Sequence, residues 1–384
     1  MKSLVVNAGS SSLKLSVFEG PKRILEAHFK NLNSEHALLD VHPGASSEHQ
    51  GPLTIRQALQ VVLKMLSIQP ECIGHRVVHG GPRYKVSVRI DDAVLSYLDS
   101  ISPLAPLHNP ACLEGIRFCR EYFGDKIPQV AVFDTAFHRT MPPHASLYAI
   151  SPELGVERFG FHGISHAYLW QAYLQNSIYA NKESRIITLH LGNGCSAAAI
   201  RGGISLDTSM GFTPAEGLVM GTRAGDIDAA VVGYLCSRDN LSVSDVMELL
   251  NSQSGLLGVS GTSSDMKSLL EQEQENQQAK LAIDLFCYRV LKYVGAYTAV
   301  LGGLNAIVFA GGIGESAWAI RERLCTDLYP FRISVDAGLN KHAVGLSLGD
   351  IRRISPGDSE VEVFVVATDE NAFIAQEVQG QVLR

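Results

Sequence analysis

Two arginines stand in surroundings where an idle cation would be costly. Arg76 lies in Ile73-Gly74-His75-Arg76-Val77-Val78-His79-Gly80-Gly81, a short apolar run closed by glycines, and Arg223 lies among small residues in Gly221-Thr222-Arg223-Ala224-Gly225-Asp226. A guanidinium beside apolar neighbours must be paired or must await an anion; the bland alternative for Arg76 is a surface cation on a strand. Small neighbours around Arg223 leave an anion room. Asp134 follows the apolar run Gln129–Phe133, and ligand chemistry in open α/β sheets gathers at the carboxyl ends of strands. A carboxylate there either caps the following turn or holds a metal or a substrate. Glu370, soon after the apolar run 361–366, suits the first turn of a helix or a magnesium ligand, bound directly or through water. His162 and His166 share the i, i+4 spacing of a helical zinc site, but the glutamate of a zinc-protease motif is missing. One catalytic and one structural histidine is the better reading.

Glycine turns supply the remaining chemistry. Residues 186–196 read Ile-Ile-Thr-Leu-His-Leu-Gly-Asn-Gly-Cys-Ser, an apolar strand delivering a turn. Gly192 and Gly194 permit φ > 0 and let backbone N–H groups approach an anion, while Asn193 tolerates the left-handed region. Leu4-Val5-Val6, the turn Asn7-Ala8-Gly9-Ser10-Ser11-Ser12 and a second strand over 13–18 repeat the design, which implies a duplicated nucleotide-binding fold. Gly312-x-Gly314-x-x-Ala317 follows an apolar strand at 305–310 and matches a dinucleotide fingerprint, with Asp336 near the expected distance. The unit before it lacks a comparable glycine turn, so a nucleoside pocket without nicotinamide is preferred. No Walker A sequence is present, and phosphates must rest on the hairpin turns and the arginines.

The positioning elements follow from periodicity and punctuation. Residues 54–66 and 111–122 read as helices, 36–51 as a surface loop rich in His, Ser, Gly and Pro, and 142–152 as the connection between halves. Helices are expected over 228–235 and 242–250, a polar turn over 258–267, and a solvated helical face or loop over 271–278. Leu281, Leu285, Tyr288, Leu291 and Val294 mark a long amphipathic helix. A helix after Gly312 runs through Leu324, and a terminal helix starts at Ala372. At 384 residues, 46% hydrophobic and 18% charged, the chain is long enough for two soluble domains. A net charge of -7 gives no basic footprint for nucleic acid. Seven cysteines without a C-x-x-C pair, no signal-peptide pattern at 1–6 and no apolar run able to span a bilayer point to a cytoplasmic enzyme.

Two glycine hairpins, two arginines, a strand-end aspartate and a late glutamate fit magnesium-assisted phosphoryl transfer. That reaction needs charge neutralisation and in-line positioning more than covalent chemistry. At 7–14, 75–81, 131–138, 161–166, 190–194, 220–223 and 312–315 the sequence resembles the acetate kinases, with the motifs in the family's order from Asn7 to Glu370. The sister propionate kinases share nearly all of them. The resemblance implies the α/β fold of actin, hexokinase and the 70-kDa heat-shock proteins: two duplicated actin-like (ribonuclease H-like) domains around a nucleotide cleft. These would be 1–148, joined by a C-terminal helix at 372–384, and 149–371, usually in a homodimer. It also implies reversible transfer of the ATP γ-phosphate to a short carboxylate, giving an acyl phosphate and ADP, with magnesium or manganese.

Carried over by position, the resemblance implies that Arg76 binds the carboxylate and the moving phosphoryl group, while His162 and Arg223 stabilise the transition state. Asp134 would be the catalytic carboxylate, Asn7 and Glu370 would serve the metal, and Lys14 would help to bind ATP. His190, Leu191, Gly192, Asn193 and Gly194 would cradle phosphates. Asp265, Met266 and Lys267 would line the adenosine pocket with Gly312, Ile313, Gly314, Glu315 and Ser316. Domain closure would bring both hairpins and both arginines onto one phosphoryl group. Acetate is already ionised at neutral pH, so Asp134 is read as orienting magnesium or an arginine rather than moving a proton.

Two positions depart from the family: Lys267 stands where arginine is usual, and Ser316 where asparagine is usual. Lysine lacks the planar guanidinium and serine offers a single hydroxyl, so nucleotide contacts should be weaker or less base-selective. The loop before Thr54 is also shorter than in many relatives. Val78, Leu107 and Pro214 occupy the positions of the small apolar pocket for the substrate methyl. A branched Val78 favours acetate over propionate, although one methylene is worth only about 1–3 kcal/mol. A nucleotide switch that hydrolyses ATP to change shape is the rival from another class. Two arginines are superfluous for it, and no peptide-binding domain is appended before Arg384. A sugar kinase would need a general base and a polar pocket in place of Val78, Leu107 and Pro214.

Overall fold

Strands β1 (Lys2–Ala8) and β2 (Leu13–Glu19) form the expected first hairpin, with Asn7 directly opposite Lys14. β1 is buried on both faces at Leu4, Val5 and Val6, as suits a strand with a parallel neighbour and helices above and below. The computed structural model describes residues 1–9, 11–44, 46–66, 68–106 and 108–383. They divide into two units, Met1–Phe137 with Asp369–Arg384, and His138–Thr368.

In the first unit, β3 (Lys22–Lys30), β4 (His36–His42), β5 (Ser47–Gln50), β6 (Cys72–Val77), β7 (Val88–Arg89) and β8 (Gln129–Phe133) complete a sheet of order β5-β4-β3-β2-β1-β6-β8-β7. β1, β6 and β8 run parallel. Helices Ile55–Leu66 and Asn109–Phe123 pack together over this sheet. The terminal helix Glu370–Val382 packs on β1, β6 and β8. Gly74 allows that approach, since a Cβ there would meet Val378 Cγ2 at 2.5 Å and Ile374 Cγ2 at 2.8 Å.

The second unit repeats the plan. β9 (Arg185–Leu191), β10 (Cys195–Arg201), β11 (Ile204–Thr208), β12 (Ala306–Ala310), β13 (Ile351–Arg353) and β14 (Glu362–Val366) take the order β11-β10-β9-β12-β14-β13. Each sheet is therefore an antiparallel triplet, β1-β2-β3 or β9-β10-β11, extended by two parallel strands, β6 and β8 or β12 and β14. Helix Gly163–Asn176 packs on β9, β12 and β14, and helix Gln277–Leu301 packs on β9, β10 and β11. This is the duplicated α/β architecture expected from the two hairpins.

Four details differ from the sequence reading. Residues 36–51 are not a loop: β4 and β5 form an edge hairpin, with Ala37, Leu39 and Val41 buried in strict alternation beneath a polar composition. The unit boundary falls after Phe137 rather than at 148, because His138 hydrogen-bonds Ser205 Oγ and the Phe161 carbonyl of the second unit. The returning segment starts at Asp369, which pairs with Arg23, while Asn371 Nδ2 donates to Ser16 Oγ at 2.8 Å. Helix Gln277–Leu301 exposes Leu281, Leu285 and Tyr288 and buries a second stripe, Ile283, Phe286, Val290 and Val294. Among the described residues no helix is long and apolar enough to cross a membrane, and all seven cysteines are free.

Gly74→Ala is expected to lower the stability of the chain by about 1–3 kcal/mol in urea unfolding, through overpacking against the terminal helix. Adding Val378→Ala should recover part of that loss, and a strictly additive double variant would show that the two sites do not touch.

Candidate active site

In the first unit, parallel pairing of β1 with β6 and of β6 with β8 brings three chemistry-bearing positions to one sheet end. Asn7 lies near the end of β1, Arg76 near the end of β6, and Asp134 just past β8, where its N–H donates to the Val77 carbonyl at 3.0 Å. Arg76 Nη2 pairs with the nearly buried Asp134, and Nη1 reaches Asn7 Oδ1 at 3.4 Å. Arg76 Nε is buried with no hydrogen-bond partner among the described residues. Burial disfavours the Arg76 charge, but Asp134 and Glu370 outweigh it and hold the guanidinium protonated. Arg76 and Asp134 thus form a mutual ion pair that leaves the Arg76 Nε–H without a partner among the described residues.

Glu370 opens the terminal helix, whose N-cap is Asp369 accepting from Ala372 N–H at 3.0 Å. Burial raises the Glu370 carboxyl above its ordinary range; Arg76 and Lys14 pull it down, and Asp134 and Asp369 push it up. Two carboxylates and the Asn7 amide oxygen form a hard donor set beside two cations, Arg76 and Lys14. That set fits magnesium, which binds through one or two carboxylates and completes its shell with water and phosphate.

In the second unit, His162 precedes helix Gly163–Asn176 with a left-handed backbone, φ 57°. A non-glycine residue there stores strain on the order of 1 kcal/mol, a usual mark of a functional position. His162 Nδ1 lies 2.9 Å from Ser196 Oγ, and its ring centroid lies 4.4 Å from that of His190, which contacts Ser165 Oγ at 2.7 Å. Arg223 is mostly buried; Nη1 donates to the Pro214 carbonyl at 3.2 Å, and no carboxylate pairs with it among the described residues. Burial lowers its guanidinium from the usual range, yet arginine stays charged at any physiological pH. A Cβ on Gly194 would sit 3.5 Å from His162 Nε2 and 3.6 Å from Arg223 Nη1. The glycine thus places no side chain of its own between these two groups. Gly192, Asn193 and Gly194 do not adopt positive φ, so the task of the two glycines is a missing side chain rather than a left-handed turn.

A cleft of about 970 Å³ adjoins this turn, reached by Gly192, Asn193, Asp265, Met266 and Lys267 and by Gly312, Ile313 and Ser316. Asp265 also caps the helix Met266–Gln272 by accepting from Ser268 N–H at 3.1 Å. Gly314 and Glu315 serve the cleft differently from the expectation. Gly314 is buried, and Glu315 turns its carboxylate back to accept from Gly311 N–H at 3.0 Å and Thr368 N–H at 3.4 Å. Asp336 is an N-cap, accepting from Leu339 N–H. The sequence reading missed Trp318, which lines the cleft with the Lys341 ammonium 4.8 Å from its ring centroid. It also missed Arg321, fully buried, which donates to the carbonyls of Gly314, Glu315, Asn340 and Ala343 and to Asn340 Oδ1. A Trp two residues past the turn was a visible signal; Arg321 carried none, because all but one of its acceptors are backbone carbonyls. Of the expected methyl-pocket residues, Val78 is buried in the first unit, Pro214 lies in the second, and Leu107 falls outside the described residues.

Comparison with known proteins gives a consistent result. The model of the Acetokinase family matches residues 2–376. An acetate kinase of Chloroherpeton thalassium is 49% identical over 318 residues, covering 81% of this chain and 76% of that protein. The crystal structure of Porphyromonas gingivalis acetate kinase is similar with a TM-score of 0.91 and 38% identity over 99% of both chains. That of a propionate kinase from Francisella tularensis gives 0.90 and 37% over 99% of both.

His138 is buried and hydrogen-bonded, and burial lowers its pKa to about 4 from an ordinary 6.5. The folded chain therefore binds fewer protons at this ring than the unfolded chain. Its contribution to stability is complete above pH 6.5 and is lost as the pH falls toward 4. Between pH 7.5 and pH 5 this group should cost about 2 kcal/mol of unfolding free energy. His138→Gln is expected to be less stable at pH 7.5 but to lose correspondingly less on acidification, as read by urea unfolding at the two pH values.

Proposed function

The chain belongs to the acetokinase family, and on that premise we propose that it catalyses reversible, magnesium-dependent transfer of the ATP γ-phosphate to acetate, giving acetyl phosphate and ADP. The observation that most supports phosphoryl transfer is the approach of His162 Nε2 and Arg223, which has no carboxylate partner among the described residues, to the bare Gly194. A trigonal phosphoryl group spreads charge over three equatorial oxygens, and donors placed where that charge develops stabilise it.

In this reading an acetate oxygen attacks the γ-phosphorus directly as the bond to the β-phosphate oxygen breaks, and ADP carries away the electron pair. No proton leaves acetate, so no general base is required. Arg76 neutralises the carboxylate and the arriving phosphoryl group through the fork that Asp134 leaves available. Asp134 fixes the guanidinium plane and, with Asn7 and Glu370, would hold magnesium, which when bound supplies charge neutralisation on the phosphate oxygens. Lys14, opposite Asn7 in the hairpin, assists with ATP. His190, Leu191, Gly192, Asn193 and Gly194 cradle phosphates. The cleft takes the nucleoside between Asp265, Met266 and Lys267 and Gly312, Ile313 and Ser316, with Gly314 and Glu315 shaping the turn beneath. A homodimer, manganese in place of magnesium and a cytoplasmic setting belong to the same proposal.

Propionate is the second substrate, supported by the similarity to a propionate kinase and limited by the branched Val78. A hydroxylamine trap with acetate, propionate, butyrate and glucose should give hydroxamate with acetate first and propionate second, and none with glucose. ATP hydrolysis equal with and without acetate would instead indicate a nucleotide switch.

Arg223→Ala and His162→Ala should each lower kcat about 10²–10³-fold, the usual cost of one lost transition-state donor. Asp134→Asn should lower it through the disordered Arg76, and near-normal turnover of that variant would refute its role. With Lys267 and Ser316 in the cleft, turnover of GTP or ITP should approach that of ATP; strict selectivity for ATP would show that neither substitution loosens base recognition.

A further inference from the structure

A buried chain of hydrogen bonds runs behind His162. Thr188 Oγ1 lies 2.7 Å from His166 Nδ1, His166 Nε2 lies 2.8 Å from Ser196 Oγ, and Ser196 Oγ lies 2.9 Å from His162 Nδ1. Thr188, His166 and Ser196 are all fully buried. Two features of the fold build this line. Thr188 on β9 and Ser196 on β10 share a sheet face, because Ser196 stands opposite His190, two residues from Thr188. Helix Gly163–Asn176 lays His166 against that face one turn below His162, whose carbonyl accepts from His166 N–H at 2.9 Å.

Proton accounting decides the direction of the chain. Each hydroxyl carries one hydrogen, and a neutral imidazole carries one. Neither Thr188 Oγ1 nor Ser196 Oγ has any further side-chain or backbone acceptor among the described residues. If His162 Nδ1 bore the proton, Ser196 would turn its hydrogen to His166 Nε2. His166 would then donate from Nδ1 to Thr188, and the buried Thr188 hydrogen would have no acceptor. If both imidazoles donated to Ser196, the serine hydrogen would be stranded instead. Leaving such a donor unmet costs about 1–3 kcal/mol. One arrangement satisfies every group: Thr188 donates to His166 Nδ1, His166 Nε2–H donates to Ser196, and Ser196 donates to His162 Nδ1. Burial, with His138 and His190 adding to it, keeps His166 neutral, so a second proton on that ring, which would break this ordering, is absent at neutral pH.

We infer that Ser196 and His166 are positioning residues that hold His162 in the tautomer with its proton on Nε2. That nitrogen is the one that, with Arg223 Nη1, approaches the bare Gly194. The opposite tautomer would present a lone pair to phosphoryl oxygens. The device therefore makes His162 a neutral hydrogen-bond donor in place, with no proton to gain before it can act. The inference rests on the reading of His162 as a donor to the travelling phosphoryl group, and it adds two residues that touch neither substrate nor nucleotide.

The test is long-range 1H–15N correlation spectroscopy on the full chain with 15N-labelled histidine at pH 7.5, with His162→Asn used for assignment. Both His162 and His166 should show a protonated Nε2 and an unprotonated Nδ1. A protonated Nδ1 on His162 overturns the proposal whatever the activity of the chain. In Ser196→Ala, His162 should sample both tautomers. Acetyl phosphate formation should then show kcat about tenfold lower, with KM for acetate and for ATP within about twofold, a smaller loss than removing the donor itself. Ser196→Thr, which keeps the hydroxyl, should restore both readouts. Unchanged kcat in Ser196→Ala also overturns it. If the wild-type chain forms no acyl phosphate, the kinase reading fails on its own and the spectra still decide the tautomer. If Ser196→Ala does not fold, the wild-type spectrum remains decisive.

Discussion

The constraint that organises this molecule is the cost of an unpaired guanidinium away from water. Three of its buried or half-buried arginines, Arg321, Arg76 and Arg223, meet that cost in different ways. Arg321 is enclosed by backbone carbonyls and the Asn340 amide, with no further bond to give; it braces the turn that floors the nucleoside cleft. Arg76 is held by Asp134, yet its Nε lacks a partner. Among the described residues Arg223 has only a carbonyl and the Met220 thioether at 3.8 Å. The desolvation penalty that this leaves on Arg223 would be relieved by an arriving anion. Of these three, one is fully satisfied, one partly satisfied and one poised.

The repeated sheet explains how such groups are delivered. An antiparallel triplet extended by two parallel strands places several strand ends side by side, and residues just past those ends project from a rigid base. In the first unit this brings Asn7, Arg76 and Asp134 together from β1, β6 and β8, strands separated by up to 120 residues of chain. In the second unit β9 and β10 present the turn at Gly192 and carry Thr188, His190 and Ser196 on one face. Duplication places comparable ends in both units, but the chemistry differs. One end gathers carboxylates and an amide suited to a hard cation, and the other gathers imidazoles, a glycine turn and a free-standing arginine.

Much of this was legible from local pattern. Strand ends were marked by apolar runs that stop at Gly, Asp or Asn, and these runs gave β1, β6, β8, β9, β12 and β14 within a residue or two. Resemblance to the acetate kinases then gathered residues that no local pattern could join. The edge hairpin β4–β5 was hidden because its buried Ala37, Leu39 and Val41 sit among histidines, serines and a proline, so composition masked the period of two. Helix Gln277–Leu301 carries two apolar stripes, and periodicity cannot tell which of them meets the sheet; small and aromatic residues of the inner stripe fit β9 and β10, while Leu281 and Tyr288 face outward. Glycine function was misjudged for a related reason. A glycine selected for room and one selected for positive φ are the same letter, and Gly194 belongs to the first kind.

The residues least visible in the sequence are those that act through others. Glu315, Arg321, His166 and Ser196 bond to backbone or to buried side chains, and although Glu315 and His166 fall within family motifs, a motif does not say what a side chain bonds to. Their joint effect is to remove choices: of loop shape at Gly312, and of proton position at His162. An acetate nucleophile arrives already charged, so the chemistry proposed for this chain depends on where positive charge and N–H groups stand and hardly at all on proton transfer. A site of that kind gains little from a titrating histidine. It gains more from an imidazole whose proton is fixed, and the burial of His166 and Ser196 behind a half-exposed His162 provides the low-dielectric setting in which a single hydroxyl hydrogen can enforce that order.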